Sequence, residues 1–128
     1  MNQNEQVRTI TVDEANQIRD FSKEAIAEAE ALERLQNNAD FKLVFLGRYF
    51  EKEPQRLVGL LGDYNLNTKS PADREINREE IKECMIGIAR LRTFMRGIYQ
   101  RANEAQKMLE DLQKSEAEFY AGSSVVGD

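Results

Sequence analysis

Four arginines in one short segment are the side chains with the clearest potential chemistry in this sequence. Arg90, Arg92, Arg96 and Arg101 lie in a stretch without acidic residues, and Tyr99 lies among them. Guanidinium groups bind phosphate oxygens through paired hydrogen bonds, so this basic cluster could contact nucleic acid. The same four arginines could instead pair with carboxylates of this chain or of a protein partner. We favour this second interpretation because the arginines point in several directions around a helix.

A surplus of carboxylates upstream supplies a partner for the basic cluster within the chain. Residues 12–36 carry seven acidic and three basic side chains, a net charge of −4. The surplus also permits a different function, in which these carboxylates stand in for nucleic-acid phosphates and occupy a basic site on an enzyme.

Aromatic side chains recur every four residues between these two segments. Phe41, Phe45 and Tyr49 share this spacing, and Phe50 lies beside them. Such a stripe could dock a helix of another protein. More often it belongs to a hydrophobic core, and the chain has few other large side chains to fill one. We therefore predict that these four aromatic side chains are mainly core.

The residue types that catalysis and metal binding need are scarce. The chain has no histidine, and its one cysteine, Cys84, falls on an apolar stripe where we expect it to be buried. Carboxylates three or four residues apart, such as Glu24 with Glu28, lack the histidine that di-iron helical bundles add, which favours a solvated face. We predict that the protein is not an enzyme and holds no cofactor or metal ion.

Composition narrows the class of protein further. With 128 residues, 41% of them hydrophobic, the chain can build one core. We predict a single domain over residues 11–120, between an arm of residues 1–10 and a tail of residues 121–128. The net charge of −5 argues against a protein that coats nucleic acid or a membrane surface. We expect neither a transmembrane helix nor a signal peptide, because no apolar run is long enough.

Three amphipathic segments predict an all-α fold, a bundle of three main helices. The first runs from Val12 to Gln36 behind an N-cap at Thr11, with apolar residues three and four apart. Asp40 is the predicted N-cap of the second helix. This helix is apolar around much of its circumference, so it is either buried on several sides or binds something. Pro54 predicts a kink or break near Glu53.

A polar loop over residues 63–70 precedes the longest helix. We predict a helix from Pro71 to Phe119, capped by Ser70, with Asn77 as an alternative start. Two rows of apolar or small residues follow it at seven-residue spacing, as in a coiled coil. The first row is Ile81, Ile88, Met95, Ala102 and Leu109, and the second is Cys84, Leu91, Ile98, Ala105 and Leu112.

The predicted helix lengths favour self-association. The third helix would be about 60–70 Å long and the first about 35–40 Å, at a rise of about 1.5 Å per residue. The longer helix then projects beyond its partner, and its apolar stripe needs cover from the broken second helix or from another chain. We predict a homo-oligomer with a seam formed by Leu91, Ile98, Ala102, Ala105, Leu109 and Leu112.

Short patterns in the chain resemble small helical proteins encoded by tailed bacteriophages. One pattern joins Asn38-Ala39-Asp40-Phe41-Lys42 to Tyr49-Phe50, Glu53 and Arg56-Leu57-Val58, and the other runs from Leu91 to Tyr99. The resemblance covers residues 25–101. It implies a virion component, an assembly factor or an inhibitor directed at the host, and it transfers no catalytic residue. The implied location is the host cytoplasm or the virion.

Together these patterns predict a non-enzymatic structural or assembly protein of a bacteriophage, acting through helix-mediated contacts with virion or assembly proteins and through self-association. The alternatives are an acidic inhibitor of a host enzyme and, with less support, a helical nucleic-acid-binding protein. No membrane partner is expected. The candidate contact residues are Arg90, Arg92, Arg96, Tyr99, Arg101, Phe45, Tyr49 and Phe50.

Overall fold

The computed structural model of the chain describes residues 10–63 and 70–127, with side chains as far as Phe119. Within these ranges the chain is all-α and forms no strand. The predicted fold class is confirmed, with three main helices of which the second is broken and the third is long. The elements are α1 (Val12–Gln36), α2 (Ala39–Phe41), a π-helix (Lys42–Lys52), α3 (Glu53–Leu61) and α4 (Pro71–Gly127). The three consecutive elements α2, the π-helix and α3 together form what we call the middle helix.

Side-chain caps begin α1 and α4 where the sequence predicts them. The Thr11 hydroxyl accepts from the backbone N–H of Glu14 at 3.1 Å. The Ser70 hydroxyl accepts from the backbone N–H of Asp73 at 3.3 Å and donates to the Asp73 carboxylate at 2.9 Å. Each cap satisfies an N–H group that has no acceptor within the first turn of a helix.

Asn38 caps the middle helix, so the prediction that Asp40 does so is wrong. The Asn38 Oδ1 atom accepts from the backbone N–H groups of Asp40 and Phe41 at 3.0 and 3.1 Å. The backbone of Asn38 is extended, with φ −72° and ψ 131°, which is the conformation of an N-cap residue. The helix therefore starts at Ala39, and Asp40 lies within its first turn.

The middle helix changes type beside Pro54, which confirms the predicted break. The N–H of Glu53 donates to the carbonyl of Arg48, five residues earlier, and α3 then begins with Pro54 in its first turn. In a regular α-helix the proline ring would collide with the carbonyl of Phe50, four residues before it. The wider turns of a π-helix relieve that collision. The sequence predicts a kink here but does not predict an eleven-residue π-helix.

The predicted chain ends are only partly described. The helix α4 continues past Phe119 through Gly127, so the predicted end of this helix is wrong. Glycine and serine weaken a helix by about 0.5–1 kcal/mol each, which does not stop this one. Of the predicted arm, only Ile10 lies within the described residues, and residues 64–69 of the predicted loop lie outside them. The single domain stays a prediction.

The chain divides into two compact units, and each is treated separately below. The first unit joins the chain up to Glu30 with the chain from Ile98 onward, and the second is Ala31–Gly97. Both units contain part of α1 and part of α4. The middle helix belongs entirely to the second unit.

In the first unit, α1 and α4 run antiparallel. Two ion pairs show this direction. Arg19, near the start of α1, pairs with Glu116, whereas Glu28, later in α1, pairs with Arg101, which comes earlier in α4. Most of the side chains buried between the two helices are small, which suits a close approach of the helices. The buried residues of this unit are Ala15, Ser22, Ala25, Ala105 and Leu112.

The core of the second unit uses the first apolar row of α4. By contrast, the buried residues of α4 in the first unit, Ala105 and Leu112, come from the second row. Cys84 of the second row is exposed, so its predicted burial is wrong: in this unit the buried positions of α4 belong to the first row, whereas Leu91 of the second row is half-buried. The buried residues of the second unit are Leu32, Phe50, Leu57, Ile81, Ile88 and Met95.

Candidate functional site

The aromatic side chains of the middle helix form a continuous ladder of rings. The Phe41 and Phe45 rings stack with centroids 5.0 Å apart. Tyr49 meets Phe45 edge to face at 6.1 Å and meets Phe50 in the same way at 5.3 Å. Aromatic pairs attract at these separations. The middle helix therefore holds four rings together, and we call them the aromatic ladder.

Only one end of the aromatic ladder lies in the core. Phe50 is buried, Phe41 and Tyr49 are half-buried, and Phe45 is exposed. The prediction that these residues are mainly core therefore holds for Phe50 and is wrong for Phe45. The reason is that the middle helix is covered along one side, where Phe50 and Leu57 face inward, and not around its circumference.

Three consecutive apolar side chains stand exposed beside the ladder. Leu43 is 72% exposed, Val44 is 52% exposed and Phe45 is 38% exposed. We call these residues the outer apolar triplet. Successive residues of a helix point in different directions, so the triplet covers a broad part of the π-helix surface with apolar atoms. Such a cluster is typical of an interaction surface, whereas single exposed apolar residues are ordinary.

Arg92 of α4 anchors the buried end of the ladder. Its Nη2 atom donates to the Phe50 carbonyl at 3.0 Å, and its guanidinium carbon lies 5.1 Å from the centroid of the Phe50 ring. In an α-helix that carbonyl would accept from the N–H of residue 54, but Pro54 has none. Arg92 thus replaces the donor that Pro54 cannot supply, and it adds a cation–π contact.

Opposite charges meet at the junction between the π-helix and α3. The Glu53 carboxylate accepts from the Arg56 guanidinium, and Arg48 approaches it at 3.9 Å. The hydrogen bond from Arg56 is the main cause that lowers the pKa of Glu53; partial desolvation opposes it, and the charges of both arginines assist it. The same hydrogen bond raises the pKa of Arg56. The two arginine side chains are exposed and Glu53 is only half-buried, so the ion pairs stabilise the junction only slightly.

The members of the predicted basic cluster have separate roles. Arg92 holds the ladder, and Arg101 pairs with Glu28 at 3.1 Å, as the pairing of this cluster with α1 predicts. Arg90 and Arg96 are exposed and make no ion pair with any residue that the structure describes. The cluster is divided between the two units. The second unit contains Arg90, Arg92 and Arg96, and the first contains Arg101 and the half-buried Tyr99.

The predicted oligomer seam is partly filled from within the chain. Ala105 is fully buried, and the hydroxyl of Ser22 in α1 donates to its carbonyl at 3.3 Å. Leu112 is also buried. At these two positions α1 supplies the cover that we expected from a second chain. The remaining seam residues are the half-buried Leu91, Ile98, Ala102 and Leu109.

Sequence patterns missed two features of this arrangement. Ser22 is fully buried between helices, and the signal that could have shown it is the seven-residue step from Ala15 on the inner face of α1. Phe94 appears from its spacing to widen the apolar stripe of α4, yet it is 61% exposed. Hydrophobic periodicity alone does not distinguish a side chain that widens a core from one that faces solvent.

Nowhere in residues 10–63 or 70–127 do three side chains of the kinds that bind metal ions come together. No helix in those ranges is long and apolar enough to cross a membrane. The described surface offers aromatic, aliphatic and guanidinium groups.

Comparisons of the chain with protein-family models, with curated proteins and with solved structures found no match. The resemblance to small bacteriophage proteins therefore stays a prediction.

Proposed function

We propose that the protein is a non-enzymatic structural or assembly protein of a bacteriophage that works by binding other proteins through its helices. One observation supports this most: among the described residues, more large hydrophobic side chains are exposed than buried. Exposed apolar surface is unfavourable in water, and it is removed when a partner covers it. We assign the main partner contact to the outer apolar triplet.

The ladder makes the triplet a suitable binding surface. Ring contacts join Phe45 to Phe41 and Tyr49, and Arg92 fixes the buried end of the same ladder. A side chain held in place before binding loses less conformational entropy when a partner arrives. The partner chemistry that fits is an apolar helix face, because the triplet offers side-chain carbon and no polar atom.

The triplet has enough apolar surface for measurable binding. Full burial of one large aliphatic or aromatic side chain contributes about 1.5–3 kcal/mol. Leu43 and Val44 have most of that contribution still to gain, whereas Phe45 has gained part of it from its neighbours. Each further 1.4 kcal/mol or so is a tenfold gain in affinity. Entropy losses on association reduce the net effect, so we expect moderate affinity.

Site-specific photocrosslinking in phage-infected cells tests this proposal. A photoreactive residue replaces Leu43 in one variant and the exposed Gln113 of α4 in a control variant. We expect the Leu43 probe to capture a phage virion or assembly protein, identified by mass spectrometry, and the Gln113 probe to capture none. Equal capture by both probes, or none by either, would contradict the proposal.

A second function is favoured by the exposed carboxylates of α1. Asp20 and Glu24 are exposed and make no ion pair with a described residue, so their charges are open to a basic partner. This arrangement suits an acidic inhibitor of a host enzyme. A probe in place of Glu24 separates the two functions, because inhibition predicts capture of one host enzyme there and no phage protein at Leu43.

A further inference from the structure

A second unpartnered surface lies on α4 within the second unit. Its large apolar members are Ile76, Ile86 and Phe94, which are 59%, 48% and 61% exposed. Positions three, four or seven apart share one face of a helix. By this spacing the apolar residues share a face with two charged residues and a glycine. We call this set the outer face of α4, and it consists of Ile76, Glu83, Ile86, Arg90, Phe94 and Gly97.

Among the described residues, no close contact explains the glycine at position 97. Glycine weakens a helix interior more than any residue except proline. A Cβ atom built on Gly97 would meet nothing within 4 Å, so no neighbour that the structure describes requires the small residue. Gly47 differs, because a Cβ there would lie 3.3 Å from the Lys42 carbonyl oxygen. A glycine on an exposed apolar face, with open space before it, suits close approach by another helix.

The charges of the outer face change sign along the helix. Glu83 lies in its first half and Arg90 in its second, and neither makes an ion pair with a described residue. The acidic residues Glu79 and Glu80 adjoin Glu83, whereas residues 84–97 contain arginines and no acidic residue. The face is therefore complementary to itself when one copy is reversed.

We propose that the outer face of α4 pairs antiparallel with the same face of a second copy of this chain. Placing Glu83 opposite Arg90 of the other copy fixes the register. Seven residues further along one helix correspond to seven residues back along the other, so Ile76 then meets Gly97. The two copies of Ile86 come together at the centre of the pair.

Two other pairings of the outer face are less favourable. A parallel pair in register places Glu83 against Glu83 and Arg90 against Arg90, and like charges directly opposite repel. An antiparallel register that matches Ile86 with Phe94 also brings the two Arg90 side chains together. Of these three pairings, the register with Glu83 against Arg90 is the one that joins opposite charges and places a large residue against glycine.

This proposal deepens the proposed function, because it identifies one of the helix-mediated contacts as self-association and gives it a surface separate from the outer apolar triplet. The two proposals fail independently. If the pairing through α4 fails, crosslinking at Leu43 can still detect a partner. If crosslinking at Leu43 fails, the mass of the free protein in solution can still show a dimer.

Disulfide trapping tests the orientation of the pair. In a Cys84→Ser background, we expect Ile86→Cys to form a disulfide-linked dimer on mild oxidation, because the two copies of residue 86 adjoin within the reach of a disulfide. Ile76→Cys should remain monomeric, because in the antiparallel pair it faces position 97. Crosslinking at both positions would show a parallel pair, and crosslinking at neither would show that this face does not associate. Either result overturns the proposal.

Sedimentation equilibrium of charge variants tests the register. We expect a dimer of wild-type chains at high concentration, weakened about three- to tenfold by Arg90→Glu or by Glu83→Arg. The double exchange Glu83→Arg with Arg90→Glu should restore it, since the opposite charges meet again. A wild-type chain that stays monomeric, or a double exchange that fails to restore the dimer, contradicts the proposal.

Replacement of Gly97 by alanine should raise the stability of the fold and lower the affinity of the dimer. Gly97→Ala should raise the thermal midpoint of dilute protein, because alanine favours helix, and it should weaken the dimer by crowding Ile76 of the other copy. Gly59→Ala is the matched control, since a Cβ there also meets nothing within 4 Å and the residue lies in α3, outside the outer face. It should raise the midpoint and leave the dimer unchanged. Equal effects of the two variants on association would overturn the proposal.

Discussion

Arg92 shows how one side chain can compensate for a backbone defect. Pro54 removes the N–H that would serve the Phe50 carbonyl in a regular helix, and a guanidinium from another helix donates in its place. The same group lies over the Phe50 ring. A residue that sequence reasoning placed in a phosphate-binding or partner-binding cluster is thereby a structural contact of the second unit.

Arg92→Met should destabilise the protein by about 1–3 kcal/mol, because a charge-assisted hydrogen bond and a cation–π contact are lost. Urea denaturation followed by circular dichroism measures the change. Arg96→Met is the matched control, since Arg96 lies on the same helix, is exposed, makes no ion pair with a described residue and lies outside the outer face of α4. It should change the free energy of unfolding by less than about 0.5 kcal/mol. Equal effects of the two substitutions would show that the contact with Phe50 contributes nothing.

Glu53 should make the stability of the folded protein depend on pH. Arg56 lowers the pKa of this carboxyl in the folded protein, so the folded state favours the carboxylate. The stabilisation is present above the pKa of the unfolded chain, which is near the ordinary value of 4.5, and is lost as the pH falls through the lowered folded value. Glu53→Gln should therefore be less stable than wild type at about pH 6, by a margin that is smaller at about pH 2. A stability difference that is the same at both pH values would refute this role of Glu53.

Residue-scale predictions from the sequence succeed where the signal is local. Thr11 and Ser70 cap helices as predicted, because a hydroxyl at an N-cap needs only its own first turn. Periodicity places Cys84 on the apolar stripe of α4 and Phe94 beside it, but both are exposed. Their exposure depends on which neighbour covers which part of α4, and the sequence of one helix does not contain that information.

At the scale of elements, the middle helix departs furthest from expectation. Its broken character follows from Pro54, but the break takes the form of a π-helix before the proline. Long π-helices are rare, so periodicity analysis takes the α-helix as its reference. The aromatic spacing of four residues indicates a stripe in either helix type, and it therefore could not reveal the difference.

Pro54→Ala tests the origin of the π-helix. Alanine restores an N–H that can donate to the Phe50 carbonyl, so we expect bonds from residue i to i−4 to replace bonds to i−5 on the N-terminal side of the junction. Through-hydrogen-bond NMR couplings identify the acceptor of each amide. Gln55→Ala is the control, because it keeps the proline at the same junction. An unchanged pattern in Pro54→Ala would show that packing, and not proline, maintains the π-helix.

At the scale of the whole molecule, the chain exposes more large hydrophobic side chains than it buries among its described residues. The all-α class and the long third helix could be predicted, because they follow from periodicity and caps that lie within single segments. The division of α4 between two units could not, because seven-residue spacing is equally good along its whole length. The surplus of exposed apolar surface is a property of the folded chain, and it indicates binding more directly than any motif does.

We propose that the outer apolar triplet binds a protein partner of a bacteriophage. The amount of this protein in purified particles and assembly intermediates of the phage, determined by quantitative mass spectrometry, tests this proposal. We predict that Leu43→Ser with Val44→Ser removes the protein from both, without change in its thermal midpoint. Val12→Ser, which alters a residue of α1 that is 77% exposed, should leave the amount unchanged. Wild-type levels of the double variant in particles and intermediates would contradict the proposal.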